Sequence, residues 1–190
     1  MHSIIVSLVM VLIMAISMFF PDAAFSFSLK NPEQTGIALN LGSSYDPDPI
    51  FRFAQLSLMA LYDYEQIMSH PAPEALRFKI EGSVGAADVS SNRAMVALNI
   101  FALYYLNGVS RGEFKPYVEA GIGIAYNDFQ VDGQGLRFNF NPQAGIGAEW
   151  QMFGTQPWYS ALRAYHLSNG NLHSDNRGIN GVLFQLGVSF

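Results

Sequence analysis

The chain has 190 residues; half are apolar, 14% are aromatic and only 13% are charged. That is about half the charge of an ordinary soluble domain, and so aromatic a chain is not disordered. A net charge of −5 with no Lys/Arg run argues against a nucleic-acid partner, and the absence of cysteine removes disulfides, thiolate metal sites and cysteine nucleophiles.

Residues 4–20 are apolar apart from Ser7 and Ser17. Pro21, Asp22 and small residues follow, with Ala24 and Ser26 at the minus-three and minus-one spacing of a cleavage site. The length suits a signal-peptide core and is short for a spanning helix. His2 alone precedes the core as a residue able to carry positive charge. The expected organisation is an export signal over 1–26 and a single domain over 27–190, with a retained anchor helix as the alternative.

Beyond residue 30 the apolar residues alternate with period two, as strands require. Ile37, Leu39 and Leu41 alternate with Gly36, Ala38, Asn40 and Gly42. Stretch 50–63 is apolar enough for a strand but its faces are blurred. Phe78, Ile80 and Val84 alternate with Arg77, Lys79, Glu81 and Ser83. Stretch 93–106 is blurred in the same way. Val118, Ala120, Ile122 and Ile124 alternate with Tyr117, Glu119, Gly121 and Gly123. Phe138, Phe140, Ala144 and Ile146 alternate with Arg137, Asn139, Asn141, Gln143 and Glu149. A seventh strand fits 157–168. In the last, Val182, Phe184, Leu186, Val188 and Phe190 face away from Leu183, Gln185, Gly187 and Ser189. Turn-rich stretches such as SSYDPDP, VDGQG and NGNLHSDNRG separate the strands.

A soluble β-sandwich would alternate too. Here, however, one face gathers Arg, Lys, Glu and Gly, and the other is nearly pure Ile, Leu, Val and Phe. That is the pattern of an eight-stranded antiparallel transmembrane β-barrel with lipid outside and a packed, charge-paired interior. Arg77, Lys79, Glu81, Glu119, Arg137, Glu149 and Arg163 are expected inside. Trp150 and Trp158 read as part of a periplasmic aromatic girdle. The terminal Phe190 resembles the C-terminal signal of outer-membrane barrels, so the predicted location is the bacterial outer membrane. An even strand number leaves both termini on the periplasmic side and the turn between the last two strands outside. A filled interior leaves function to the rims or the outer wall.

The chemistry concentrates in 163–180. Parity sends Arg163, Tyr165 and Leu167 inward and Leu162, Ala164, His166 and Ser168 outward. A histidine and a serine two apart on a lipid-facing wall are costly without a purpose, and their spacing lets a base meet a nucleophile. The outward count in the last strand starts at Asn180, beside them at the outer rim. The plainer alternative is a set of interfacial polar residues near headgroups. His70 and His173 read as loop residues.

HLSN followed by N-x-G-I (His166, Ser168, Asn169, then Asn176, Gly178, Ile179) resembles the catalytic region of the lipid A 3-O-deacylases of PagL type, eight-stranded outer-membrane esterases. Weaker similarity covers the rest of the barrel, including FNFNPQAGIGAEW at 138–150. The resemblance implies a catalytic set of His166, Ser168 and Asn180: a serine nucleophile, a histidine base, and an orienter fourteen residues after it. It implies an oxyanion hole from Asn169 and the backbone N–H of Asn171. The chain departs from the family twice. Position 180 is Asn where the family has an acid, and the glycine after Asn169 stands at 170, followed by Asn171. In a serine protease the amide in place of the acid lowers the rate about 10⁴-fold, whereas Cys-His-Asn sites work with an amide. Asp175 or a group from another loop is the remaining source of a carboxylate.

The activity so implied is hydrolysis of an acyl ester of lipid A in the outer leaflet, with no metal or cofactor. The alternative is a structural barrel of the same descent whose site has decayed. A homodimer is compatible with the sequence.

Overall fold

The computed structural model describes residues 31–68, 70–151, 154 and 156–190. The expected export signal over 1–26 lies outside the described residues. The strands are β1 (Gln34–Asp46), β2 (Arg52–Asp63), β3 (Leu76–Asp88), β4 (Asn92–Tyr105), β5 (Lys115–Asn127), β6 (Phe138–Phe140), β7 (Gln143–Gln151), β8 (Pro157–Leu167) and β9 (Ile179–Ser189). Each pairs antiparallel with its neighbours, and β1 pairs β9, which closes the sheet. β6 and β7 both pair with β5 in one unbroken register, Ile124 opposite Phe140 and Gly121 opposite Gln143. They are two parts of one wall, parted where Pro142 lacks an N–H, and the barrel has eight strands.

The faces follow the alternation. Ile37, Leu39, Leu41, Val118, Ile122, Ile146, Leu162, Val182 and Phe184 are exposed on the outside. An apolar belt of this size has lipid as its natural solvent. Inside, Arg163 is fully buried and forks onto Glu81 at 2.7 and 2.9 Å and Glu119 at 2.7 Å, with Gln185 at 2.8 Å. Lys79 pairs with Glu119, so two cations meet two carboxylates. Apolar layers lie to either side, one built on Phe51, Phe53, Tyr165, Leu167, Ile179 and Leu183, the other on Met59, Leu61, Leu103, Tyr117 and Tyr159. Leu183, the apolar residue on a polar face, belongs to the first. β2 and β4 had blurred alternation because Phe53, Met59, Leu61, Phe101 and Leu103 fill the interior while Leu56, Leu58 and Val96 face out.

Three details differ from the sequence expectation. Arg137 is not inside; it stands on the rim, half-exposed, 3.2 Å from Asp128. Arg77 lies at the opposite end, 2.7 Å from Glu33. The turn after β2 contains a short helix, α1 (Tyr64–Met68), begun by the Asp63 carboxylate accepting the Gln66 N–H at 3.1 Å. Its Ile67 is buried against Tyr62, Phe78 and Ile80 on the outer wall. Five residues are too few to show a helical period. Trp150 and Trp158 are cross-strand partners near the turn between β7 and β8.

Candidate active site

The β8–β9 pair carries the site. Arg163, Tyr165 and Leu167 of β8 are buried in the barrel, which leaves His166 and Ser168 on the outer face, half-buried. Their backbone is clamped on the other side by the β6–β7 wall. The His166 N–H donates to the Pro142 carbonyl at 3.1 Å, and Ser168 exchanges two bonds with Phe140, 2.7 and 3.1 Å. The packed layer behind and the ladder beside it hold the two side chains on a rigid element.

His166 and Asn180 are direct cross-strand partners. The His166 Nδ1 lies 2.6 Å from the Asn180 Oδ1. An amide oxygen only accepts, so this bond places the proton on Nδ1 and leaves Nε2 with its lone pair unprotonated. The other edge of the ring lies over Gly178: a Cβ there would stand 2.4 Å from Cε1 and 3.1 Å from Nε2 of His166. Pairing of β8 with β9 runs through His166–Asn180 and ends at Leu167–Ile179, one residue after Gly178. The ring therefore leans along the strand over Gly178. Glycine at 178 makes room for it.

The loop after Ser168 is a tight turn. Gly170 and Asn171 both have positive φ, 61° and 64°, and the Leu172 N–H donates to the Asn169 carbonyl at 3.1 Å. A Cβ on Gly170 would also strike the Phe140 ring at 2.8 Å. The shifted glycine is thus accommodated, because Asn is the non-glycine residue that best tolerates the left-handed region. Asn169 is buried and ties the loop together. Its N–H donates to the Asn176 Oδ1 at 2.8 Å and its Nδ2 to the Asp175 carbonyl at 2.8 Å. The Asn176 Nδ2 in turn donates to the Asn171 Oδ1 at 2.8 Å. The β5–β6 loop pins this cluster from outside, through Gly135 N–H to the Asp175 carbonyl at 2.7 Å and Arg177 N–H to the Gly133 carbonyl at 2.8 Å. Asn176 is the knot of the cluster, a role beyond what its place in the sequence motif conveyed.

Asp175 is not beside His166. Its carboxylate lies 4.0 Å from His173, in the loop. The carboxylate near the site comes from β1: Asp46 Oδ2 accepts from the Asn180 Nδ2 at 2.9 Å. Sequence reasoning missed it inside the turn-rich SSYDPDP stretch. Among the described residues no group of His, Asp and Glu is placed to hold a metal ion.

A model of the lipid A 3-O-deacylase (PagL) family matches residues 64–189. Among curated proteins, none matches the chain in sequence. Among solved structures, the chain resembles Neisserial surface protein A (NspA), with 11% identity, a TM-score of 0.61, and 82% of this chain and 94% of that one covered. It also resembles the outer membrane enzyme PagL, with 19% identity, a TM-score of 0.59, and 80% of this chain and 97% of that one covered. At these identities the structures share the fold.

Proposed function

The chain belongs to the lipid A 3-O-deacylase (PagL) family of bacterial outer-membrane barrels, and from that premise we propose that it hydrolyses an acyl ester of lipid A through Ser168 and His166. The observation that carries this reading is the His166–Asn180 bond of 2.6 Å on the same outward face as Ser168, with the ring leaning over Gly178. The interior is filled, so the substrate comes to the outer wall. A lipid in the outer leaflet lays its acyl chain along Leu162, Val182 and Phe184 and holds its ester at the rim, where water reaches it.

His166 Nε2 takes the Ser168 Oγ proton as Oγ attacks the ester carbonyl. The tetrahedral oxyanion is met by the backbone N–H groups of Gly170 and Asn171, whereas the Asn169 N–H and Nδ2, expected at the oxyanion, are engaged in ordering that turn. The sugar oxygen leaves with the proton from His166. Water then cleaves the acyl-serine by the same steps and frees the fatty acid. The family points to the 3-O-linked chain. Incubating the purified, folded barrel with lipid A in detergent is expected to release one hydroxyacyl chain. Equal release from folded Ser168→Ala would refute the assignment.

Gly178→Ala is a second test. The added methyl occupies the place of the imidazole edge and moves Nε2 off the serine. A displacement of about 1 Å can lower a rate about 10²-fold, so a loss of that size is expected from a barrel that still shows heat-modifiable migration. An unchanged rate would mean that the ring works from another rotamer.

The competing reading is a structural barrel with a decayed site. Asn180 in place of the acid is the observation that favours it. Absence of ester release from the folded native chain would establish it.

A further inference from the structure

Asn180 is an ambiguous orienter by itself. An amide has an oxygen on one side and an NH2 on the other, and either could face an imidazole. With the oxygen toward His166, Nδ1 must carry the proton and Nε2 is a base. With the NH2 toward it, Nδ1 becomes the acceptor, the proton sits on Nε2, and the ring cannot take one from Ser168. A carboxylate at 180 would have no such choice.

The neighbouring strand removes the choice. β1 and β9 pair in one register up to Ser44 opposite Gly181 and then slip, so that Asp46 stands opposite Asn180. Alternation along β1 sends Ser44 inward and Tyr45 outward, and would send Asp46 inward too. A bulge re-aims a side chain in this way. It brings the Asp46 carboxylate to the outer wall, 2.9 Å from the Asn180 Nδ2. A carboxylate only accepts, so the amide must turn its NH2 to Asp46 and its oxygen to His166. The chain of donors then runs one way: His166 Nδ1–H to Asn180, Asn180 Nδ2–H to Asp46. Asp46 is half-exposed at the rim, and Arg177 lies 3.4 Å from its other oxygen.

We propose that Asp46 is a positioning residue which fixes the Asn180 amide, and through it the His166 tautomer, and restores to the site the negative charge that position 180 lacks. This rests on the esterase reading above. The departure at 180 is then a relocation of the acid by one hydrogen bond, from the last strand to the first.

The test uses the full-length barrel, folded in detergent, with Asp46→Asn, Asn180→Glu and the double variant. Two readouts are taken: kcat and KM for ester release from lipid A, and nitrogen-15 shifts of the His166 ring, assigned by their loss in His166→Ala. Asp46→Asn is expected to lower kcat about 10–10²-fold with KM little changed, less than the full penalty for an amide in a serine-protease triad. The ring shifts should move from the Nδ1–H form toward a mixture of tautomers. In the Asn180→Glu background the carboxylate touches the ring directly, so adding Asp46→Asn should cost nothing further. A native tautomer and native kcat in Asp46→Asn would overturn the proposal. So would the same fold-loss in both backgrounds, which would mark a merely structural role. If the folded native chain releases no acyl chain yet Asp46→Asn still changes the tautomer, the esterase reading fails and the positioning of His166 by Asp46 stands.

Discussion

Ser168→Ala is expected to lower kcat by about 10⁴–10⁶-fold, and His166→Ala by a similar factor, in barrels that still fold. Each side chain lies on the outer face, and the backbone bonds that hold it, Ser168 to Phe140 and His166 to Pro142, do not involve the side chain. The nucleophile and its base act as a unit, so the double variant should be hardly slower than either single one; losses of this kind are far from additive. The residual rate belongs to the oxyanion donors and to binding. Kinetics on purified lipid A, with far-ultraviolet circular dichroism to certify the barrel, measure both parts. Two losses that multiply would mean that the residues serve separate steps.

Arg163→Ala is expected to remove most of the stability. The guanidinium is fully buried and engages Glu81, Glu119 and Gln185. Without it Lys79 alone faces two buried carboxylates. Removing one partner of a buried ion pair costs about 3–5 kcal/mol, because the remaining charge stays uncompensated. The temperature at which the barrel loses its heat-modifiable form should fall sharply, or refolding should fail. Arg163→Met with Glu81→Gln, which removes one charge of each sign, should recover much of the loss, since an apolar or neutral replacement of a whole buried pair is often tolerated. An Arg163→Ala barrel as stable as the native one would show that the interior is wet enough to solvate the carboxylates.

The barrel was legible because two solvents impose two faces. Lipid outside and a filled interior write period-two alternation into β1, β3, β5 and β9, and parity alone put His166 and Ser168 on the outer wall. It blurred in β2 and β4, where apolar side chains such as Phe53 and Leu103 fill the interior as well. α1 was invisible because its burial comes from one residue, Ile67, on a wall made by other strands. The motif at 166–180 pointed to His166, Ser168 and Asn180, and in the folded chain the His166 Nδ1 lies 2.6 Å from the Asn180 Oδ1. Asp46 could not be read. It lies 134 positions from Asn180. It reaches the site only because closure sets β1 against β9 and a one-residue slip turns it outward. Alternation assigns Asp46 to the inner face, and a bulge leaves no trace in a period-two pattern.

Whether the outer-wall serine cuts a lipid in the membrane is read most directly in cells. Lipid A is extracted from bacteria producing the native chain and from bacteria producing the same amount of folded Ser168→Ala, and is weighed by mass spectrometry. A species lighter by one acyl chain is expected with the native protein and none of it with the variant. Identical lipid A spectra from the two strains, with both barrels folded in the outer membrane, would contradict it.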